Sequence, residues 1–123
     1  MERGAGILIV EDEAITAMLL KRGLEQAGFY VHKPIATGEA AVEIARTKQF
    51  NLILMDINLA DRMDGIEASE SIRRFSDTPI IFMTGYRDDA IVKRAMNTNP
   101  AAYIVKPVVL GDLLPIIREH ISS

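Results

Sequence analysis

The sequence predicts an α/β domain built on a doubly wound, five-stranded parallel sheet. Three observations carry that expectation: short apolar runs recur along the chain, longer amphipathic stretches separate them, and the runs end on acids, a hydroxyl or an amine. The runs are Ile7–Val10, Phe29–Lys33, Leu52–Met55, Ile80–Met83 and Tyr103–Val105. A short, almost purely apolar run has the character of a strand buried on both faces, and such strands belong to parallel sheets flanked by helices.

The intervening stretches read as helices. From Glu13 to Ala27, residues Ala17, Leu20, Leu24 and Ala27 fall on one helical face, and Gly28 follows as a stop. Thr37 is placed to cap a helix over Glu39–Lys48, Gly65 opens Ile66–Arg74, and Asp88 or Arg87 opens a helix reaching Asn97 before Pro100. The last helix covers much of Leu110–Ile121. Pro115 conflicts with a start at Leu110, so the expected start lies near Asp112, with Asp112 as N-cap and Pro115 in the first turn. Strands alternating with helices at roughly 25 residues per unit define the doubly wound pattern.

A chain of 123 residues suits one core and is too short for two, so residues 1–123 are expected to form a single domain. Its 49% hydrophobic and 25% charged residues match globular averages, which argues against disorder or a coiled coil. A net charge of −3 leaves no broad basic footprint for a nucleic-acid backbone. With no cysteine there is neither a disulfide framework nor a thiolate metal site. No apolar stretch approaches the roughly 20 residues of a membrane span, and the opening residues lack a signal-peptide layout. The expectation is a cytoplasmic domain with no direct contact with nucleic acid or membrane.

In open α/β sheets, ligands bind beyond the carboxyl ends of the strands. The first run ends in Glu11-Asp12-Glu13, the third in Asp56, the fourth in Thr84-Gly85 and the fifth in Lys106-Pro107. A nucleotide-binding relative of this fold would put a Gly-rich or hydroxyl-rich anion cradle after the first strand. Carboxylates stand there instead. Glu11, Asp12 and Asp56 held together would repel one another, and a hard divalent cation with oxygen ligands, most naturally Mg²⁺, relieves that repulsion. A carboxylate beside such a cation can attack a phosphoryl group, and Asp56 is best placed to do so. Lys106 can bring positive charge, and Thr84 a hydroxyl, to the same phosphoryl oxygens. Each of these residues alone has an ordinary reading. Asp56 could cap a helix, Glu13 serves the first turn of the following helix, Thr84-Gly85 could be a plain turn, and Lys106 could be a solvent-exposed lysine. Their joint placement at strand ends favours the chemical reading.

These stretches, "ILIVEDE" at 7–13, "LILMDINL" at 52–59, "MDGIEA" at 63–68, "PIIFMTGY" at 79–86 and "YIVKP" at 103–107, resemble the response-regulator receiver domains of the CheY type over essentially the whole chain. The resemblance implies a flavodoxin-like strand order of 2-1-3-4-5. It also implies a two-component signalling switch rather than an enzyme acting on other molecules, one that catalyses only its own phosphorylation and dephosphorylation. Asp56 would accept a phosphoryl group from a histidine kinase or histidine phosphotransfer protein. Glu11, Asp12, Asp56 and the backbone carbonyl of Asn58 would surround Mg²⁺, Thr84 and Lys106 would bind the phosphoryl group, and Tyr103 would turn inward as Thr84 moves. The Lys106-Pro107 bond is often cis in such domains. The readout surface for a downstream effector or output domain would be the fourth helix, fifth strand and fifth helix, about residues 87–121, and a homodimer through that face is compatible with the pattern.

Three features depart from the common form. Glu11 stands where many relatives carry Asp, keeping the charge on a longer side chain. The loop "INLADRMDG" is one residue longer than usual and has Ala60 where Pro is common. Asn58 and Tyr86, each two residues beyond Asp56 and Thr84, occupy positions that in this family help set the lifetime of the phosphoryl group. A phosphatase of the haloacid-dehalogenase type also uses a strand-end Asp with Mg²⁺, but it requires a second acid where Asn58 stands. The remaining alternative is a degenerate receiver that docks a partner without phosphorylation.

Overall fold

The computed structural model describes residues 6–59, 62–85 and 88–121. Ala60, Tyr86 and Arg87, named above, lie outside them. The elements run β1 (Gly6–Val10), α1 (Ala14–Gln26), β2 (Tyr30–Val31), α2 (Gly38–Thr47), β3 (Leu52–Asp56), α3 (Gly65–Arg73), β4 (Ile80–Thr84), α4 (Asp89–Met96), β5 (Ala102–Val105) and α5 (Leu110–His120). All strand pairs are parallel, and the order across the sheet is β2-β1-β3-β4-β5, as the resemblance implies.

Strand side chains alternate between faces, so the inner strands β1, β3 and β4 each feed two cores. Leu8, Val10, Ile53, Met55 and Phe82 join Ala41, Ile66, Ile72 and Ala95 from α2, α3 and α4. Ile7, Ile9, Leu54, Ile81 and Met83 join Leu20, Leu24, Leu113 and Ile117 from α1 and α5. That division is the doubly wound arrangement, and it explains why the strands read as continuous apolar runs. Gly28 has φ +100°, the left-handed conformation that lets the chain leave α1, while the Phe29 amide donates to the Leu24 carbonyl.

The second strand is shorter than the run Phe29–Lys33, because only Tyr30 and Val31 pair regularly with β1. Pro34 interrupts the ladder, having no N–H to give. Beyond it the chain rejoins β1: the Ile35 amide donates to the Ile9 carbonyl at 2.9 Å, and the Glu11 amide donates to the Ile35 carbonyl at 2.9 Å. This outer pairing anchors the backbone of Glu11.

The caps of α2 and α4 are those expected from the sequence, α3 takes a cap just before the expected Gly65, and α5 departs from expectation. The Thr37 hydroxyl accepts the Ala40 amide at 3.1 Å, and Asp88 accepts the amides of Ala90 and Ile91. Asp64 caps α3 through a capping box: its carboxylate accepts the Glu67 amide at 2.8 Å, and the Glu67 carboxylate accepts the Asp64 amide at 2.9 Å. At α5 the expected start at Asp112 is wrong. The helix begins at Leu110 with Val109 at the N-cap, and Pro115 lies inside it. Leu110 packs into the α1–α5 core directly over Gly23, where a methyl group would collide with it. Pro115 cannot make one helical hydrogen bond, and the helix nevertheless runs through it.

Candidate functional site

Parallel strands end on one edge of the sheet, so the residues that terminate β1, β3, β4 and the segment after β5 converge there. Asp56 closes β3 in register with Met83, and Thr84 closes β4 in register with Val105. The Lys106 amide donates to the Thr84 carbonyl at 2.7 Å, and the Lys106-Pro107 peptide is cis. Gly65 lets α3 approach this edge. Its amide donates to the Ile57 carbonyl at 3.0 Å, and a Cβ there would strike the Asp56 carbonyl and the Ile57 backbone.

Carboxylate oxygens of Glu11, Asp12 and Asp56 lie within 4.8 Å of one another. Glu11 and Asp56 are nearly sealed from solvent, at 3% and 2% exposure. Lys106 reaches between them: its ammonium donates to Glu11 Oε1 at 2.8 Å and to Asp56 Oδ2 at 3.2 Å. The other Asp56 oxygen, Oδ1, accepts the Asn58 amide at 3.0 Å, and Glu11 Oε2 accepts the Glu13 amide at 3.1 Å. Glu13 itself stands at the N-cap of α1 and takes the Thr16 hydroxyl at 2.7 Å, a local helix-end role.

The electrostatics follow from burial. Desolvation raises the Glu11 carboxyl above its ordinary value, and hydrogen bonds from Lys106 and the Glu13 amide only partly offset it. For Lys106, burial opposes the charged form, but the hydrogen bond to Glu11 and the charges of Asp56 and Glu11 outweigh it and hold the ammonium above its usual range. The two shifts have different causes: burial dominates at Glu11, whereas the two neighbouring carboxylates dominate at Lys106.

Three converging carboxylates form a hard-oxygen donor set, which fits Mg²⁺ by the chemistry of its ligands. The site therefore brings together Glu11, Asp12, Asp56, Asn58, Thr84 and Lys106. Tyr103 is half-buried beside Phe82 and packs against the core under α2–α4. One contact escaped sequence reasoning: the fully buried Thr84 hydroxyl donates to Asn58 Oδ1 at 2.9 Å. Nothing in the spacing of residues 26 apart announces such a bond. The α3 capping box was missed as well, although Asp64-Gly65-Ile66-Glu67 carries its signal.

A parallel sheet with an acidic, lysine-bridged pocket at its carboxyl edge defines the class of protein, and comparison with known proteins gives the family. The family model for the response regulator receiver domain matches residues 7–118. The chain belongs to that family. It is 34% identical over 116 residues to the transcriptional regulatory protein PdtaR of Mycobacterium tuberculosis, covering 94% of this chain and 56% of that protein. The chain thus spans about half the length of the curated relatives it matches. Among solved structures, the signal receiver domain of a modulated diguanylate cyclase from Desulfovibrio desulfuricans superposes with TM-score 0.89 at 34% identity, covering 95% of this chain and 93% of that one. The receiver domain of the sensor histidine kinase PA1611 from Pseudomonas aeruginosa, which holds a magnesium ion in its active-site cleft, superposes with TM-score 0.87 at 28% identity, covering 98% and 99%. The chain is accordingly a receiver domain of two-component signalling.

Proposed function

We propose that Asp56 accepts a phosphoryl group from a histidine kinase or histidine phosphotransfer protein, and that the resulting aspartyl phosphate switches the surface formed by α4, β5 and α5. The observation that carries this reading is the position of the Asp56 carboxylate, almost wholly buried yet held between an ammonium, a backbone amide and two further acids. An Asp56 oxygen attacks phosphorus as the phosphorus–nitrogen bond of the donor imidazole breaks, so no other co-reactant is needed. Glu11, Asp12, Asp56 and the Asn58 carbonyl would hold Mg²⁺, which supplies positive charge to the transferring oxygens. Lys106 is poised to move from Asp56 to a phosphoryl oxygen while keeping its bond to Glu11. Thr84 would give its hydroxyl proton to another, and Tyr103 would follow by repacking against the α2–α4 core.

On this reading the chain is a single domain over residues 1–123 that catalyses only its own phosphorylation and dephosphorylation. Its output passes to an effector or attached domain through the α4–β5–α5 surface. A cytoplasmic setting goes with such donors, and no described helix is long and apolar enough to cross a membrane.

The test is incubation with Mg²⁺ and acetyl phosphate followed by intact-mass measurement. A gain of one phosphoryl group, lost with EDTA and in Asp56→Asn, is expected. No gain with acetyl phosphate or with a kinase donor would shift the reading to a docking module that works without phosphorylation.

A further inference from the structure

We infer that the Asn58 side chain is a positioning residue that holds Thr84 in the resting orientation and so sets how far the unphosphorylated domain already samples its switched state. The inference rests on the reading of Asp56 as acceptor and goes beyond it. A threonine hydroxyl has one proton to donate, and here that proton goes to Asn58 Oδ1 at 2.9 Å. To donate to a phosphoryl oxygen on Asp56, Thr84 must release Asn58. The Thr84–Asn58 bond therefore belongs to the resting state alone, and a contact made in one of two states biases the equilibrium by its own strength.

Burial makes the exchange lopsided. Thr84 is fully buried, and its hydroxyl needs an acceptor in either state, whereas Asn58 is exposed and its amide can turn to water once released. Asn58 also touches the acceptor directly, since its backbone amide donates to Asp56 Oδ1 at 3.0 Å. One residue thus contacts the carboxylate that changes charge through its backbone, and the hydroxyl that must move through its side chain. Substituting the side chain leaves the backbone amide and carbonyl in place, so the two roles are separable.

Binding of beryllofluoride, a phosphoryl mimic, at saturating Mg²⁺ tests this in wild type, Asn58→Ala, Thr84→Val and the double variant, followed by ¹⁹F NMR. Asn58→Ala is expected to bind about fivefold tighter, the ratio set by one ordinary net hydrogen bond. The double variant is expected to bind no tighter than Thr84→Val, because the gain acts through the hydroxyl. Unchanged or weaker binding by Asn58→Ala overturns the inference, as does an equal gain in the Thr84→Val background. Failure of the wild type to bind beryllofluoride at all would remove the acceptor reading, and the inference with it. If Thr84→Val does not fold, ¹⁵N relaxation dispersion on unliganded Asn58→Ala decides: a rise of about fivefold in the minor state across α4 and β5 supports the latch, and an unchanged population overturns it.

Discussion

Lys106 lies between two carboxylates that have almost no contact with water, and its own side chain is only a quarter exposed. Removing the cation leaves Glu11 and Asp56 facing each other unpaired. Lys106→Met is expected to lower the unfolding free energy by about 2 kcal/mol in EDTA, less than for a fully buried pair because solvent reaches one side. Urea denaturation measures it, and added Mg²⁺ should recover part of the loss. Glu11 gives a pH dependence of opposite sense to an ordinary paired acid. Its carboxyl holds the proton to higher pH in the fold than the unfolded value of 4.5, so the metal-free protein loses stability as pH rises from there through the folded pKa. Glu11→Gln should remove that slope and leave the protein more stable than wild type at neutral pH in EDTA, as read from urea midpoints. The identities of Glu11, Asp12, Asp56, Thr84 and Lys106 were legible as strand-end residues because a parallel sheet brings all its carboxyl ends to one edge. The hydrogen bond from Thr84 to Asn58 was not, since it depends on loop geometry that no periodicity encodes.

At the scale of elements, the start of α3 and the start of α5 make opposite points. Asp64 satisfies the Glu67 amide and also accepts Arg94 of α4 at 3.4 Å, so one carboxylate ties two helices at the α2–α4 face. Asp112 is exposed in the first turn of α5 and caps nothing. Asp64→Ala is expected to cost about 1 kcal/mol, and Asp112→Ala no more than about 0.5 kcal/mol, in chemical denaturation. The reverse ranking would restore Asp112 as the cap. Pro115 is locally unfavourable in a helix, which is why the sequence alone points to a later α5 start. The helix starts at Leu110 all the same, and Leu110 packs against Gly23 of α1, a contact between segments far apart in the chain. The shortened β2 has a similar origin, because Pro34 interrupts pairing that the apolar run alone would continue.

For the whole molecule, the nearly continuous apolar runs, separated by amphipathic helices, were enough to predict a doubly wound sheet, since the inner strands β1, β3 and β4 bury both faces. The strand order came from resemblance, because hydrophobic pattern does not say which strands are neighbours. The acidic pocket concentrates negative charge that the fold tolerates at a cost, so a cation bound there should stabilise the domain as a whole. At Mg²⁺ one hundred times its dissociation constant, the expected stabilisation is about 2.7 kcal/mol. Thermal unfolding with and without Mg²⁺ reads it, and Asp12→Asn should lose most of the shift.

The most direct test of the central claim locates the phosphoryl group itself. Borohydride reduces an aspartyl phosphate to homoserine, so the phosphorylated protein would be reduced, digested and mapped by mass spectrometry. Homoserine at position 56 and nowhere else is the predicted result. A reduced residue at Glu11 or Asp12, or a phosphorylated protein with Asp56 intact, would contradict the account.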